Sequence, residues 1–283
     1  MHNVIHFIEH VTIDTLKLVP FLFLTYLVME ALEHKAGDKT HAMVKKAGRL
    51  GPVVGSLLGA LPQCGFSAAA SNLFAGRVIT LGTLIAIYLS TSDEMLPIMI
   101  SENVGLPTIL GILGIKVIIG MVAGLLIDFI ISGKEEEHHI HEMCEEENCH
   151  CEKGIWMSAL IHTLHITIFI LLINFMLELL LESIGEEILA QMLLNKPILG
   201  PLLAALVGMI PNCASSVIIT RLFLEGALGL GAMMAGLLVN AGVGVLVLFR
   251  VNKDKTENIK ILGLLYVIGV IAGIVLGFLP IQF

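Results

Sequence analysis

The chain has 283 residues, of which 56% are hydrophobic and only 14% are charged, and its mean hydropathy is +0.92. This composition excludes an ordinary soluble domain and predicts an integral membrane protein. The formal net charge of -8 leads us to expect no nucleic-acid partner, and the apolar composition leads us to expect a lipid bilayer as the surroundings.

Long apolar runs without the alternation of a β-barrel predict helices that cross the membrane. Each run reaches the roughly 20 residues that a helix needs to cross the hydrocarbon core. The predicted crossings are 13–32, 78–101, 107–131, 155–178, 226–249 and 261–283. No cationic segment precedes the first apolar run, so we expect no cleaved signal peptide.

Two further apolar stretches, 50–76 and 197–220, are each interrupted by a proline, an amide and a cysteine. The resulting pieces are too short to cross the membrane alone. A broken helix is tolerated in the membrane only where protein or a water-filled cavity surrounds the break. We therefore predict two hairpins of half-helices, which either re-enter or pass through as two short spans.

The two interrupted stretches are copies of each other. A shift of 149 residues places 51–67 on 200–216, and the same register places 120–124 on 269–273. Such self-similarity predicts a tandem duplication. Because each copy has an odd number of crossings, the second copy must insert upside down. The predicted fold class is an all-α polytopic membrane protein with two inverted-topology repeats, each with a broken-helix hairpin, and about ten helical segments.

We place the first repeat at 1–133, a linker at 134–153 and the second repeat at 154–283. Lys and Arg collect on the cytoplasmic side of a membrane. If the linker is cytoplasmic, most of the basic residues share its side and only Lys17, Lys196 and Arg221 lie on the other. The sequence thus predicts a multi-pass protein of the plasma membrane with both termini outside.

Inverted repeats with broken helices are typical of secondary transporters, whose substrate site lies near the bilayer midplane. We predict that the two breaks meet there and offer amide, thiol and hydroxyl ligands. The alternative is a packing kink with an inert, buried thiol. The residues proposed at these breaks are Gln63, Cys64, Ser67, Asn212, Cys213 and Ser216.

A polar segment interrupts the third element of the first repeat. Carboxylates at membrane depth cost at least about 2.5 kcal/mol on insertion scales, so the segment predicts a cation or proton site. The alternative is that its two acidic residues mark the outer end of a short helix. The segment consists of Ser90, Thr91, Ser92, Asp93 and Glu94. Its aligned counterpart in the second repeat carries no charge and contributes Asn240.

Other ionisable residues in predicted helices are candidates for coupling transport to a gradient. They are Glu30, Lys116, Asp128, His162, His165 and Glu178. Lys116 lies inside its predicted helix, where we expect it to pair with a carboxylate. The two histidines fit proton carriers and, equally, histidines satisfied in a core. The three acidic residues fit the membrane interface equally well.

The linker combines imidazole, thiol and carboxylate groups, a composition typical of metal binding. Its candidate ligands are His138, His139, His141, Cys144, Cys149, His150 and Cys151. Their spacing is not that of a structural zinc site, so we predict labile loading or sensing; the alternative is a solvating acidic linker. His2, His6 and His10 share one helix face, which fits a second metal-binding surface or an ordinary wet face.

The paired motifs at 62–67 and 211–216, the segments 90–94 and 240–244, and the His/Cys-rich linker together resemble a known family. This family is that of the ten-helix heavy-metal exporters, variously named arsenic efflux proteins or manganese transporters. The chain is also distantly similar to the organoarsenical permeases. The resemblance covers essentially the whole chain and implies export of a metal or metalloid.

Ligand chemistry favours one substrate class without excluding the other. Asp93 and Glu94 suit Mn(II), whereas Cys64 and Cys213 suit softer ions such as Zn(II) or arsenic(III). One cysteine in each break departs from a trithiolate arsenic site, so we expect Mn(II) first. No phosphate-binding loop is present, so an ion or proton gradient is the expected driving force.

Two other classes of function, and the oligomeric state, stay open. An ion channel would use the same broken hairpins, and a membrane enzyme would have to use His162 and His165; we expect neither an enzyme nor a cofactor. Glycine-rich faces at 120–124 and 269–273 would allow close helix contact in a homodimer.

Overall fold

A computed structural model describes ten residues between 13 and 27 and the ranges 50–61, 64–92, 94–131, 155–184 and 198–279. The regular structure in these ranges is helical, and the ten residues between 13 and 27 are helical too. The predicted all-α class is therefore confirmed. The linker 134–153, the three N-terminal histidines and Glu30 lie outside the described residues.

The helices from residue 50 onward whose bounds the structure describes fall into two series of five, separated by one long helix. The first series is α1 (Gly51–Gly59), α2 (Cys64–Ala75), α3 (Leu81–Ser90), α4 (Met95–Ser101) and α5 (Leu106–Ile131). The long helix α6 (Ile155–Ile184) follows. The second series is α7 (Leu199–Gly208), α8 (Cys213–Leu224), α9 (Leu230–Val239), α10 (Gly244–Val251) and α11 (Lys255–Phe278).

The two series repeat each other in register and in packing. A shift of 149 residues carries the bounds of α2 onto those of α8, and the bounds of α3 onto those of α9. Within the first series α1, α3 and α5 pack together, as do α7, α9 and α11 in the second. Between the series α2 packs against α10, and α8 packs against α4. The duplication is thus present in the fold, and α3 also packs across the two halves against α9 and α11.

Both predicted hairpin breaks are present. The chain leaves the helix between Gly59 and Cys64, and again between Gly208 and Cys213. A proline stands in each gap and cannot donate the N–H that would continue the helix. In the second gap the Asn212 side chain accepts from Ala214 N at 3.3 Å and caps α8.

The predicted crossings 78–101 and 226–249 overlap two stretches that are long and apolar enough to cross a membrane, and each of them consists of a pair of helices. In the first, the Ser90 and Thr91 hydroxyls donate back to carbonyls one turn earlier, an alternative to continued helix. In the second, Asn240 Oδ1 accepts from Gly242 N at 2.8 Å. Gly242 has a φ of 53°, which glycine adopts without the steric cost of a Cβ.

Glycines allow the last helix of each series, α5 or α11, to pack closely against the third helix of the same series, α3 or α9. A Cβ on Gly124 of α5 would collide with the Gly82 carbonyl of α3, and a Cβ on Gly273 of α11 would collide with the Gly231 carbonyl of α9. These pairs correspond at a shift of 149 residues. The glycine-rich faces at 120–124 and 269–273 therefore pack against other helices of the same chain. They do not support a homodimer, which stays a prediction.

The two third helices enter the membrane from opposite sides. Arg77, between α2 and α3, binds Glu257 in the first turn of α11, so α3 and α11 begin on the same side. Gly231, at the start of α9, packs against Gly273 and Gly277 near the end of α11. Because the 24 residues of α11 rise by roughly 36 Å, α9 begins opposite α3, as inverted repeats require.

Four stretches are long and apolar enough to cross a bilayer, among the described residues: Leu81–Ser101, Leu106–Ile131, Leu230–Val251 and Lys255–Phe278. The first and third are the interrupted pairs α3–α4 and α9–α10, which are mostly buried inside the protein. The continuous helices α5 and α11 instead expose large apolar side chains such as Ile118, Phe129 and Ile271. Lipid is the environment that suits such a surface, so this is a multi-pass membrane protein.

Removing the Arg77–Glu257 ion pair should cost a little stability. The two contacts measure 2.9 and 3.1 Å, and the side chains are 37% and 25% exposed. We expect Arg77→Ala to lower the free energy of unfolding by about 0.5–1 kcal/mol. Arg77 has a φ of 55°, and its counterpart Gly226 has a φ of 74°. Alanine, like arginine, has a Cβ and therefore keeps the energetic cost of a positive φ. The measured change in stability then reflects the loss of the Arg77 side chain.

The measurement is a double-mutant cycle with Glu257→Ala, read as thermal stability of the purified protein. Equal effects of Glu257→Ala with and without Arg77 would show that the two side chains do not interact.

Candidate functional site

Each break in a third element is tied to the hairpin break of its own half. In the first half the Ser92 hydroxyl donates to the Ala60 carbonyl at 2.6 Å, just after α1. In the second half Asn240 Nδ2 donates to Ser215 Oγ at 2.6 Å, in the first turn of α8. In each half, one hydrogen bond from a polar side chain thus joins the break in the third element to the break in the hairpin.

A small polar cavity lies where the breaks of the two halves converge. It has room for roughly one water-sized sphere. Its lining residues are Thr91, Ser92, Met95, Lys116, Ser216, Leu237 and Asn240. The 10 residues of α3 rise by about 15 Å, and α3 ends at this cavity. That rise is about half of the ~30 Å hydrocarbon core of a bilayer.

One charged side chain reaches the cavity from the side. Lys116, on α5, is 1% exposed. Its ammonium donates to the Thr91 carbonyl and, at 2.8 Å, to the Leu237 carbonyl. These carbonyls stand at the ends of α3 and α9, where the helix dipole is negative. The described partners of the ammonium are thus main-chain oxygens from both halves; the carboxylate partner that we expected stays a prediction, since Asp93 lies outside the described residues.

A second polar contact between the halves was not predicted. Ser71 of α2 donates to the Gly244 carbonyl at 2.7 Å and lies 2.6 Å from the Tyr88 hydroxyl of α3. Tyr88 also donates to the Gly244 carbonyl, at 3.2 Å. Ser67 packs directly against Gly244, because a Cβ on this glycine would lie 2.7 Å from the Ser67 Cβ. No motif in the sequence marks Ser71 of α2 or Tyr88 of α3.

Four of the predicted break residues line the cavity, namely Thr91, Ser92, Ser216 and Asn240. Ser90 lies one residue earlier and its hydroxyl bonds within α3. Glu94 is half-buried and precedes α4. Gln63 and Asp93 lie outside the described residues, and Cys64 is described only as the first residue of α2.

The other two predicted residues of the second hairpin break, Asn212 and Cys213, are not among the residues that line the cavity. Asn212 is 5% exposed, and its Nδ2 is buried without a hydrogen-bond partner in the described part of the chain. Cys213 is a half-buried thiol at the start of α8. A buried amide donor without a partner in a native structure calls for an explanation, and a bound water or ion is one kind of explanation.

The candidates for coupling are spread over the molecule. Asp128 accepts from Thr80 Oγ1 at 2.7 Å and from Gly82 N at 2.8 Å, so it caps the start of α3. His165 is exposed on α6. Glu178 is described only by its place in α6. Lys116 alone among these described residues lines the cavity.

His162 belongs to a polar group away from the cavity lining. Its ring stacks on Tyr26 with centroids 5.4 Å apart. The Tyr26 hydroxyl donates to Asn72 Oδ1 at 3.1 Å, and Asn72 Nδ2 is buried without a hydrogen-bond partner in the described part. This contact joins the N-terminal helical residues, α2 and α6, and a coupling role for His162 stays a prediction.

In the described ranges, no three His, Cys, Asp or Glu side chains come together as a metal cluster. The predicted metal-binding residues of the linker and of the N-terminus lie outside these ranges. Among the described residues, a metal ion at the cavity would therefore be bound by hydroxyl, amide and carbonyl oxygens. The carboxylate of Asp93 and the thiol of Cys64, whose side chains are not described, are further candidate ligands.

Comparison with protein families gives a match over residues 6–196 and 134–252 to the family described as "Putative, 10TM heavy-metal exporter". Comparisons with curated proteins and with solved structures give no match. The match covers most of the chain, and the inverted helical repeats with a buried polar cavity agree with it. The chain belongs to the "Putative, 10TM heavy-metal exporter" family.

Proposed function

We propose that this protein is a secondary-active transporter that exports a heavy-metal or metalloid ion through the cavity between the two halves. The observation that carries this proposal is the convergence of broken backbone from both halves on one buried polar cavity. In lipid, broken helices persist only around such protein-lined spaces. Transport sites in inverted repeats lie at the same place, near mid-depth where the repeats meet.

Mn(II) is the first substrate that we propose. The cavity offers the hydroxyls of Thr91, Ser92 and Ser216 and the amide of Asn240. Asp93 follows Ser92 in the chain, so a carboxylate stands one residue from the lining. Hard oxygen donors of this kind suit Mn(II). Arsenic(III) is the second candidate because Cys213 begins α8, although one thiol in each break falls short of a trithiolate site.

The remaining parts of the proposal concern orientation and supply. The pairing of Arg77 with Glu257 supports placing these two segments on one side of the membrane. We propose that this side is the cytoplasm, with both termini outside. The linker 134–153 would then collect metal in the cytoplasm and pass it to the cavity. In this proposal the two repeats that the linker joins are 1–133 and 154–283. An ion or proton gradient would drive export, and the family is one of exporters rather than enzymes.

Flux into proteoliposomes tests the proposal and separates the three classes of function. We expect saturable Mn²⁺ flux that follows an imposed ion or proton gradient. An ohmic current would indicate a channel, and product formation from an added substrate would indicate an enzyme. A metal-sensitivity panel in cells lacking the gene, with and without its restoration, identifies the exported ion.

A pair of serine variants ties the flux to the cavity. Ser92→Ala removes a cavity hydroxyl that donates to the Ala60 carbonyl at 2.6 Å, whereas Ser101→Ala removes an exposed hydroxyl that donates to the Ile98 carbonyl at 2.8 Å. We expect flux to fall severalfold in the first variant only. Equal flux in both would contradict a site at this cavity.

A further inference from the structure

Lys116 raises an electrostatic question for any cationic substrate. Its ammonium is buried in the cavity lining and donates to the carbonyls of Thr91 and Leu237. Two unit charges about 4 Å apart repel by about 4 kcal/mol even at the effective dielectric of a protein surface. A metal ion that bound among the same lining groups would therefore be repelled by this ammonium.

The two carbonyls are suited to hold a cation. Thr91 is the residue that caps the C-terminus of α3, and Leu237 lies in the last turn of α9. The last carbonyls of a helix lack partners within the helix and carry the negative end of its dipole. Main-chain carbonyls are also ordinary ligands of hard divalent cations. The acceptors that bind the ammonium are thus acceptors that a transported cation would use.

The ammonium is a feature of one half only. The position that corresponds to Lys116 in the second half is Leu265, which is fully buried in an apolar cluster. Yet the ammonium contacts both halves, through Thr91 in the first and Leu237 in the second. One lysine therefore occupies a cation position that the two halves build together.

We propose that Lys116 is a built-in competitor of the transported cation. Its ammonium fills the carbonyl position when the cavity holds no substrate, and the metal ion binds by displacing it. This inference rests on the proposed function of the cavity. The ammonium keeps the two broken backbones together in the empty carrier, which allows the carrier to return after release. It also drives release, because the returning ammonium expels the ion.

Equilibrium binding of Mn²⁺ to the purified full-length protein tests the competition. We expect Lys116→Met to bind Mn²⁺ at least roughly tenfold more tightly than the unchanged protein, because the competing charge is gone. The same variant should export more slowly in proteoliposomes, since release and return both need the ammonium. Tighter binding with slower export is a combination that mere structural damage does not produce.

The matched control is Leu265→Met, which places the same side chain at the corresponding position of the other half. It should leave both binding and flux unchanged. The linker is identical in all these proteins, so any Mn²⁺ that it binds cancels in the comparison. If Lys116→Met does not fold, Lys116→Gln replaces it, because the amide keeps a donor for one carbonyl without the charge.

Weaker or unchanged binding in the variants without the charge would overturn the competitor role while leaving the cavity as the binding site. Failure of the unchanged protein to bind Mn²⁺ would overturn the competition as well. If no ion in the sensitivity panel were then exported, the proposed function itself would fall.

Discussion

Replacing Gly124 with valine should prevent stable folding, whereas the same replacement at Gly114 should be tolerated. Both glycines lie on α5. A Cβ on Gly124 would collide with the Gly82 carbonyl and lie 2.9 Å from both the Ala86 and Pro52 Cβ atoms, while a Cβ on Gly114 meets nothing within 4 Å. Overpacking a close-packed contact costs about 1–3 kcal/mol and occasionally more, and here the atoms that would have to move include backbone. A surface change costs within about 0.5 kcal/mol.

The measurement is the thermal stability and yield of the two variants in detergent. The second half supplies an independent copy of the experiment, because Gly273 packs against the Gly231 carbonyl and Gly263 meets nothing within 4 Å. We expect Gly273→Val to fail and Gly263→Val to fold. Equal stability of Gly124→Val and Gly114→Val would show that α3 and α5 are not in close contact.

Replacing Asp93 with asparagine should abolish export without loss of folded protein. Asp93 lies between Ser92, which lines the cavity, and Glu94, which precedes α4. A carboxylate at this depth is costly to insert, and its loss removes a charge that a cation would need. We expect export to fall by roughly tenfold or more, which corresponds to at least 1.4 kcal/mol of binding or barrier.

The matched control is Glu102→Gln, which neutralises an exposed carboxylate at the far end of α4. Metal efflux from cells and the amount of folded protein in the membrane are measured for both variants. Cys64→Ser, at the first residue of α2, should also abolish export. Normal export in both Asp93→Asn and Cys64→Ser would remove these residues from the site.

The repeat and its hairpin breaks could be predicted from the sequence because they depend on local chemistry. Pro62 and Pro211 cannot continue a helix, and they stand at equal positions in the two copies. The constant shift between the copies also relates the later helices, because the bounds of α3 and α9 differ by the same 149 residues. Inversion followed from the odd number of crossings, and the contacts of Arg77 with Glu257 and of Gly231 with Gly273 confirm it.

The breaks within the third elements could not be predicted in the same way, because no proline marks them. In the first half the hydroxyls of Ser90 and Thr91 bond back along the helix. In the second half Asn240 and Gly242 make the turn. The two copies thus break at the same place by different chemistry, and the absence of charge in the second copy concealed its break.

The composition of the cavity depended on contacts between distant segments. Lys116 lies 121 residues from Leu237 in the chain, and Ser71 lies 173 residues from Gly244. Periodicity and motif spacing report neighbours along one element, so they single out Lys116 as unusual without showing its partners. The packing of α2 on α10 and of α8 on α4 decides which polar groups meet.

The location of the bound ion tests the central claim most directly. Anomalous diffraction from crystals of the full-length protein grown with Mn²⁺ would locate the metal without assumptions about ligands. We expect one strong peak between the two halves, within coordination distance of oxygens of Thr91, Ser92, Ser216 or Asn240. A peak elsewhere in the membrane region, with this cavity closed and without metal, would contradict it.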